Sequence, residues 1–113
     1  MLLQRVQQHF IDSADLKYQC AQALAPQVEA GVSALLACLT GGGKILACGS
    51  GVSVGHAQAF VASLVGRFER ERPELAALAL GASVAVVTGL YNQFEARAVF
   101  GRQVRALGLP GDV

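Results

Sequence analysis

The sequence is poor in charged side chains and has no tryptophan. Of its 113 residues, 15% are charged and 53% are hydrophobic. Nine Lys and Arg against eight Asp and Glu leave a formal net charge of +1, which provides no general attraction to nucleic acid or to acidic membranes. The composition excludes extended disorder and predicts one globular domain that recognises its partners locally. We expect no direct nucleic-acid contact.

Cysteines and targeting signals are also sparse. Cys20, Cys38 and Cys48 are an odd number at wide spacing, and no Cys/His cluster has zinc-site spacing, which argues against a disulfide framework and a structural metal. The first ten residues lack the pattern of a secretory signal. The uncharged stretch 75–94 is about as long as a membrane span, but polar residues and glycines interrupt it. We therefore expect a buried strand and helix there, no membrane contact and a cytoplasmic location.

Apolar residues recur at helical spacing in two runs before residue 40. The first run includes Leu3, Val6 and Phe10 and predicts a helix over residues 2–24 that Pro26 ends. The second run, 28–39, stops at three consecutive glycines, 41–43. The pattern therefore predicts a pair of amphipathic helices that pack against something else.

The rest of the chain alternates between short apolar runs and helical patterns. Residues 44–48 and 76–80 are typical of buried parallel strands, 54–68 predicts a helix, and 84–107 is expected to be helical with a break near Gly89. Pro110-Gly111-Asp112 followed by Val113 is how a chain enters a strand. Two assured strands are few for an independent sheet. We predict an α/β fold that is truncated or leans on another subunit. The expected core side chains of its helices are Ala57, Phe60, Val61, Leu64, Phe68, Phe94, Val99, Phe100, Val104 and Leu107.

The glycine-rich loop between the first strand and the next helix carries the strongest chemical signal. Gly49 and Gly51 allow the backbone to approach a ligand, the helix behind them offers unpaired N–H groups, and Ser50 and Ser53 could donate hydrogen bonds to a phosphate. Ser53 is alternatively the N-cap of the helix. The loop matches neither the P-loop pattern G-x-x-x-x-G-K-[ST] nor the dinucleotide-binding pattern G-x-G-x-x-G. His56, in the first turn, is either a surface residue or a phosphate or sugar contact.

Several segments of the chain together resemble one protein family. FIDSADLKYQ, KILACGSG, AQAFVASLVGRFERERP, FGRQVRALG and PGDV are similar to the N-terminal half of the bacterial phosphoheptose isomerases, which have a SIS (sugar isomerase) domain. The resemblance implies a three-layer, flavodoxin-like parallel sheet, truncated here and preceded by the helical pair. It also implies a homotetramer, with residues 1–40 as a helical oligomerisation segment and 41–113 as the N-terminal part of a SIS domain.

Departures from the family pattern gather at its ligand-facing motifs. The family's C-G-N-G-G-S loop is C-G-S-G-V-S here, and its helix A-Q-H-F-A-x-E-L has Ala59 and Ser63 at the places of the zinc-binding His and the zinc-binding, proton-transferring Glu. We therefore expect no catalytic residue and no metal ligand, and zinc only in an active isomerase. The family's T-T-D is Gly81-Ala82-Ser83, and of its N-D-Y only Asn92 survives. The predicted ligand contacts are Gly49, Ser50, Gly51, Ser53 and Asn92.

The pattern predicts a non-catalytic SIS-domain protein that binds a sugar phosphate. Ala62-Ser63-Leu64 resembles the A-A-S-M version found in DiaA, a tetrameric scaffold for the replication initiator DnaA, although DiaA generally keeps the histidine that is Ala59 here. DnaA is therefore a candidate partner. The alternative is an isomerase of sedoheptulose 7-phosphate in lipopolysaccharide heptose synthesis, and a truncated product without an independent role is a third hypothesis.

Overall fold

The structure is a computed structural model that describes residues 1–113. The chain divides into two compact units, Met1–Ala34 and Leu35–Val113. Its helices and strands, in chain order, are α1 (Leu2–Thr40), β1 (Ile45–Ala47), α2 (Ser53–Val65), β2 (Ala77–Ala79), α3 (Val84–Gln93) and α4 (Ala98–Leu107).

The N-terminal segment is one helix, and the predicted pair is wrong. Helix α1 runs for 39 residues with Pro26 in its interior. A proline there removes a single N–H bond, the one to the carbonyl of Gln22, and costs about 3 kcal/mol. The helical hydrogen bonds continue on both sides of Pro26, and that loss does not end the helix. By length and composition alone, α1 could also cross a membrane.

The second unit contains a β-α-β arrangement, which confirms the α/β fold. Strands β1 and β2 are parallel, with Ile45 opposite Ala77 and Ala47 opposite Ala79, and α2 forms the crossover between them. The Leu80 N–H extends the pairing by donating to the carbonyl of Ala47 at 2.7 Å. Both predicted strands are therefore present, each with three residues.

The helices after the sheet differ from the sequence prediction in where they end. The break between α3 and α4 falls at residues 94–97, and Gly89 lies inside α3. A glycine inside a helix costs only about 1 kcal/mol relative to alanine, so it does not have to break one. Helix α2 ends at Val65, three residues earlier than predicted.

The buried core of the described chain is small. Its buried apolar side chains are Cys38, Ile45, Leu80 and Val99. Several expected core residues are exposed instead, because a sheet of two three-residue strands gives the outer helix faces little to pack against. For this chain, the assignment to the core was wrong for Phe60, Phe68, Phe94, Val104 and Leu107.

The turn before Val113 is fastened to the start of β1. The Asp112 carboxylate accepts hydrogen bonds from the Lys44 N–H at 2.9 Å and the Leu109 N–H at 2.8 Å, and it pairs with the Lys44 ammonium at 2.6 Å. Next to it, the Leu46 N–H donates to the carbonyl of Val113 at 2.8 Å. Val113 thus pairs with the edge of β1 that faces away from β2.

Asp112 gives the stability of this unit a dependence on acid pH. The hydrogen bond from the Lys44 side chain, followed by those from the Lys44 and Leu109 backbones, lowers the pKa of Asp112 from 3.8 to about 2. Because the folded pKa is the lower one, the stabilisation is present above pH 3.8 and is lost as the pH falls through about 2. We expect Asp112→Asn to lower the thermal midpoint by several degrees at pH 6.

Unfolding midpoints measured between pH 6 and pH 2 test this expectation. The difference between the wild type and Asp112→Asn should shrink steadily below pH 4. Asp15→Asn is the matched control, because Asp15 is an exposed carboxylate on α1. A wild-type advantage that stays constant down to pH 2 would contradict the assignment of this dependence to Asp112.

Candidate functional site

The loop that joins β1 to α2 requires both of its glycines. A Cβ atom on Gly49 would lie 2.5 Å from the carbonyl oxygen of Ser53, too close for any side chain. Gly51 has a φ of +58°, which residues other than glycine seldom adopt. The glycines predicted from the sequence thus set the path of the backbone, which folds closely over the start of α2.

The first turn of α2 is wound tightly and leaves loop amides free. The N–H groups of Ser53, Val54 and Gly55 donate to carbonyls three residues back, at 3.0–3.2 Å. The N–H groups of Ser50 and Gly51 donate to no carbonyl of the chain. Free amides at the positive end of a helix are the groups that bind phosphate oxygens.

The two loop serines keep their hydroxyl groups available. The N-cap of α2 is Val52, in helical geometry and without a side-chain hydrogen bond, so the alternative role of Ser53 as the N-cap is wrong. Ser50 and Ser53 are exposed. Val52 is 88% exposed, and its ordinary φ of −63° shows that a bulky residue fits at this point of the loop without strain.

A second loop lies at the same edge of the sheet. Gly81 and Ser83 follow β2, the strand paired with β1, and a Cβ on Gly81 would lie 3.9 Å from the Val54 side chain. The Ser83 hydroxyl caps α3 by accepting from the Val86 N–H at 3.3 Å. Open parallel sheets bind their ligands at the carboxyl ends of their strands. The two loops therefore define one candidate ligand site.

Asn92 lies away from the end of α3 that meets this edge. It is exposed, in the last turn of α3, nine residues from Ser83 and thus about 14 Å along the helix axis. The structure brings Gly49, Ser50, Gly51 and Ser53 together in one loop but does not add Asn92 to it. A ligand contact by Asn92 stays a prediction.

The positions that hold zinc in the resembling isomerases do not fit a metal here. Ala59 has no donor atom, and the Ser63 hydroxyl donates to the carbonyl of Ala59 at 3.0 Å. Zinc in proteins takes imidazole, thiolate or carboxylate ligands, three or four to a site. No mechanistic step through zinc can be derived from these side chains. The same positions also lack a group that moves protons.

Arg72 holds the end of α2, a role that the sequence reasoning missed. Its guanidinium donates to the carbonyls of Leu64 and Gly66, both at 3.0 Å, and to that of Ser63. These carbonyls lie at the negative end of the helix, where a cation is favourable. The signal was an arginine shortly after a helical pattern and directly before a proline. RFERERP is thus a helix-capping loop as well as a surface connection.

We expect Arg72→Ala to destabilise the second unit by about 2 kcal/mol, because several hydrogen bonds from a charged group are lost. The control is Arg67→Ala in the same loop. Arg67 pairs with Glu71, but both side chains are more than 70% exposed, and such pairs contribute less than about 1 kcal/mol. Urea unfolding of both variants tests the prediction. Equal losses would contradict the capping role.

Comparison with known proteins identifies the protein family of this chain. The SIS domain family matches residues 8–113, so the chain belongs to the SIS domain family. It is 54% identical over 113 residues to the phosphoheptose isomerase of Methylibium petroleiphilum, covering all of this chain and 56% of that protein. The figures for the Thiobacillus denitrificans phosphoheptose isomerase are 50% over 109 residues, with 96% and 55% covered.

Solved structures agree with the sequence relatives. The phosphoheptose isomerase GmhA from Neisseria gonorrhoeae superposes with a TM-score of 0.85 at 40% identity, over 99% of this chain and 58% of that one. A phosphoheptose isomerase from Francisella tularensis gives 0.89 at 38%, over 99% and 59%. The chain spans about half the length of the relatives it matches. The predicted resemblance to an N-terminal half is confirmed.

Proposed function

We propose that this chain is a non-catalytic SIS-domain protein that binds a sugar phosphate through the loop Gly49–Ser53. The observation that carries the proposal is the close fit of Gly49 over the Ser53 carbonyl, 2.5 Å from where a Cβ would lie. That fit presents the free amides of Ser50 and Gly51 next to the N-terminus of α2. The phosphate would accept from these amides and from the hydroxyls of Ser50 and Ser53.

The lack of acid–base groups supports binding without turnover. An aldose–ketose isomerisation moves a proton between neighbouring carbons and needs a base within hydrogen-bond reach. No Asp or Glu occurs from Lys44 to Phe68, and the helix positions that carry such groups in the resembling isomerases are Ala59 and Ser63. His56 is the titratable side chain of α2, and it is exposed.

The second candidate function is isomerisation of sedoheptulose 7-phosphate. The observation in its favour is 54% identity to a phosphoheptose isomerase over the whole chain. Such an activity would need acid–base groups other than those at positions 59 and 63, which are Ala and Ser here. Product formation by the purified chain would favour this candidate over the first.

We also propose that α1 assembles copies of the chain, as a cytoplasmic homotetramer. Its apolar face has no cover within the N-terminal unit: Phe10 is 74% exposed, and Leu3, Leu24, Val28 and Val32 are all exposed. Side chains of this kind are buried by association when they line one face of a helix. A surface of this kind could also receive DnaA, the partner that the DiaA resemblance suggests.

Calorimetric titration with sedoheptulose 7-phosphate, run with and without added zinc and with product assayed in the same samples, tests the proposal. We expect saturable binding and no product. Ser50→Ala should weaken binding about tenfold, because a hydrogen bond to a charged group contributes about 1.5 kcal/mol or more. Ser33→Ala, an exposed serine on α1, is the matched control. Turnover would contradict the non-catalytic assignment, and a folded oligomer without binding would contradict the sugar-phosphate assignment.

A further inference from the structure

Residues 59 and 63 of α2 have the spacing of a pair of metal ligands, but their side chains are not ones that bind zinc. Four residues apart on a helix, their side chains lie on the same face within about 6 Å of each other. In this chain the Ser63 hydroxyl is turned back to the helix and donates to the carbonyl of Ala59 at 3.0 Å. The geometry for two ligands is therefore present, and the chemistry is absent.

The pocket beside Ser63 offers no other ligand for a metal ion. It has a volume of about 300 Å³ and is lined by Phe60, Ser63, Leu64, Phe68 and Arg72. Three of these side chains are apolar. The guanidinium of Arg72 has donors only and no lone pair for a metal, and its charge opposes a cation.

No neighbouring side chain can supply the missing metal ligands. His56 lies seven residues before Ser63 on the same helix, about 10 Å along its axis, which is too far to share a metal with position 63. Across the described chain, no three His, Cys, Asp or Glu side chains come together in a group that could hold a metal.

We infer that the α2 pocket excludes divalent metal ions, and that any sugar phosphate bound by this chain is held without a metal. The inference rests on the proposed function for its second half. It distinguishes this chain from an enzyme that has its metal ligands and lacks only the metal ion. It also implies that restoring the two donors, by Ala59→His with Ser63→Glu, supplies two of the three or four ligands of a zinc site and creates a weak metal site on an otherwise unchanged helix.

Cobalt(II) absorption spectroscopy on the purified chain tests the inference without any sugar. We expect the wild type to bind no cobalt at position 63, so Ser63→Ala should leave cobalt binding unchanged. The double variant should bind one equivalent, at least about tenfold more tightly than either single variant. The single variants are matched controls, and circular dichroism checks that each variant is folded. Cobalt held equally by the wild type and Ser63→Ala lies elsewhere, on cysteines for example, and supports exclusion from α2.

Two results would overturn the first half of the inference. One is stoichiometric cobalt binding by the wild type that Ser63→Ala abolishes. The other is a folded double variant that binds no better than the single ones, because the absence of donors at positions 59 and 63 would then not be the reason why α2 binds no metal. A separate titration with sedoheptulose 7-phosphate in excess chelator tests the second half. Binding lost only with chelator overturns metal independence, whereas no binding under any condition counts against the proposed function alone.

Discussion

Replacing Gly49 with alanine is expected to abolish measurable phosphate binding and to destabilise the second unit by about 2 kcal/mol, within the range seen for overpacked sites. The new methyl group would lie 2.5 Å from the Ser53 carbonyl oxygen and 2.8 Å from the Ser53 Cβ. Because both neighbours belong to the first residue of α2, the loop has to move away from the helix. The phosphate site that we propose at the amides of Ser50 and Gly51 would then be distorted.

Gly89→Ala is the matched control for this prediction. Gly89 lies inside α3, and a Cβ there would meet no atom within 4 Å. Alanine is the better helix former by about 1 kcal/mol, so this variant should be as stable as the wild type or more stable, and it should bind unchanged. Thermal unfolding and calorimetry measure both effects. A Gly49→Ala chain that is fully stable and binds normally would show that the loop is not packed against Ser53.

Leu24→Asp is expected to dissociate the assembly that we propose for α1. Leu24 lies on the apolar face of α1, and burial of one leucine contributes about 2 kcal/mol. Each copy in the assembly would lose that contribution and would place an unpaired carboxylate in an apolar interface. We therefore expect the association midpoint to move to at least about 100-fold higher protein concentration.

Sedimentation velocity over a range of concentrations measures this dissociation. Gln19→Asp introduces the same charge on the opposite face of α1 and should leave the assembly intact. A wild-type chain that is monomeric at all concentrations would refute the proposed oligomer. Flotation of the wild type with lipid vesicles would instead favour a membrane location for α1, which its length and composition allow.

Local patterns were enough to predict the sheet and its loop. The strands at 44–48 and 76–80, and the need for glycine at 49 and 51, each depend on a few adjacent residues, and the structure contains all of them. Helix ends were harder to predict. Pro26 and Gly89 cost about 3 and 1 kcal/mol inside a helix, and the structure shows that the remaining interactions of α1 and α3 outweigh these costs.

Side-chain burial and long-range bonds were beyond the sequence pattern. Phe60 and Phe68 have helical spacing typical of a core, yet Phe68 is 61% exposed, because burial depends on what packs against the helix. The capping by Arg72 joins residues six to nine apart through a loop that alternates charge. Periodicity contains no information about such contacts. The need for glycine at 49 and 51 was predictable because it is set by the backbone itself; ligand binding by this loop stays a prediction.

Strand β1 donates hydrogen bonds along both of its edges. The Ile45 N–H donates to the carbonyl of Ala76, and the Leu46 N–H donates in the opposite direction to that of Val113. Amide protons with such partners exchange with solvent only when the pairing opens. In deuterium exchange, β1 should therefore be among the last segments to take up label. The glycine-rich loop begins two residues after this strand, so even when the outer helices open, its first glycine stays attached to the most protected part of the unit.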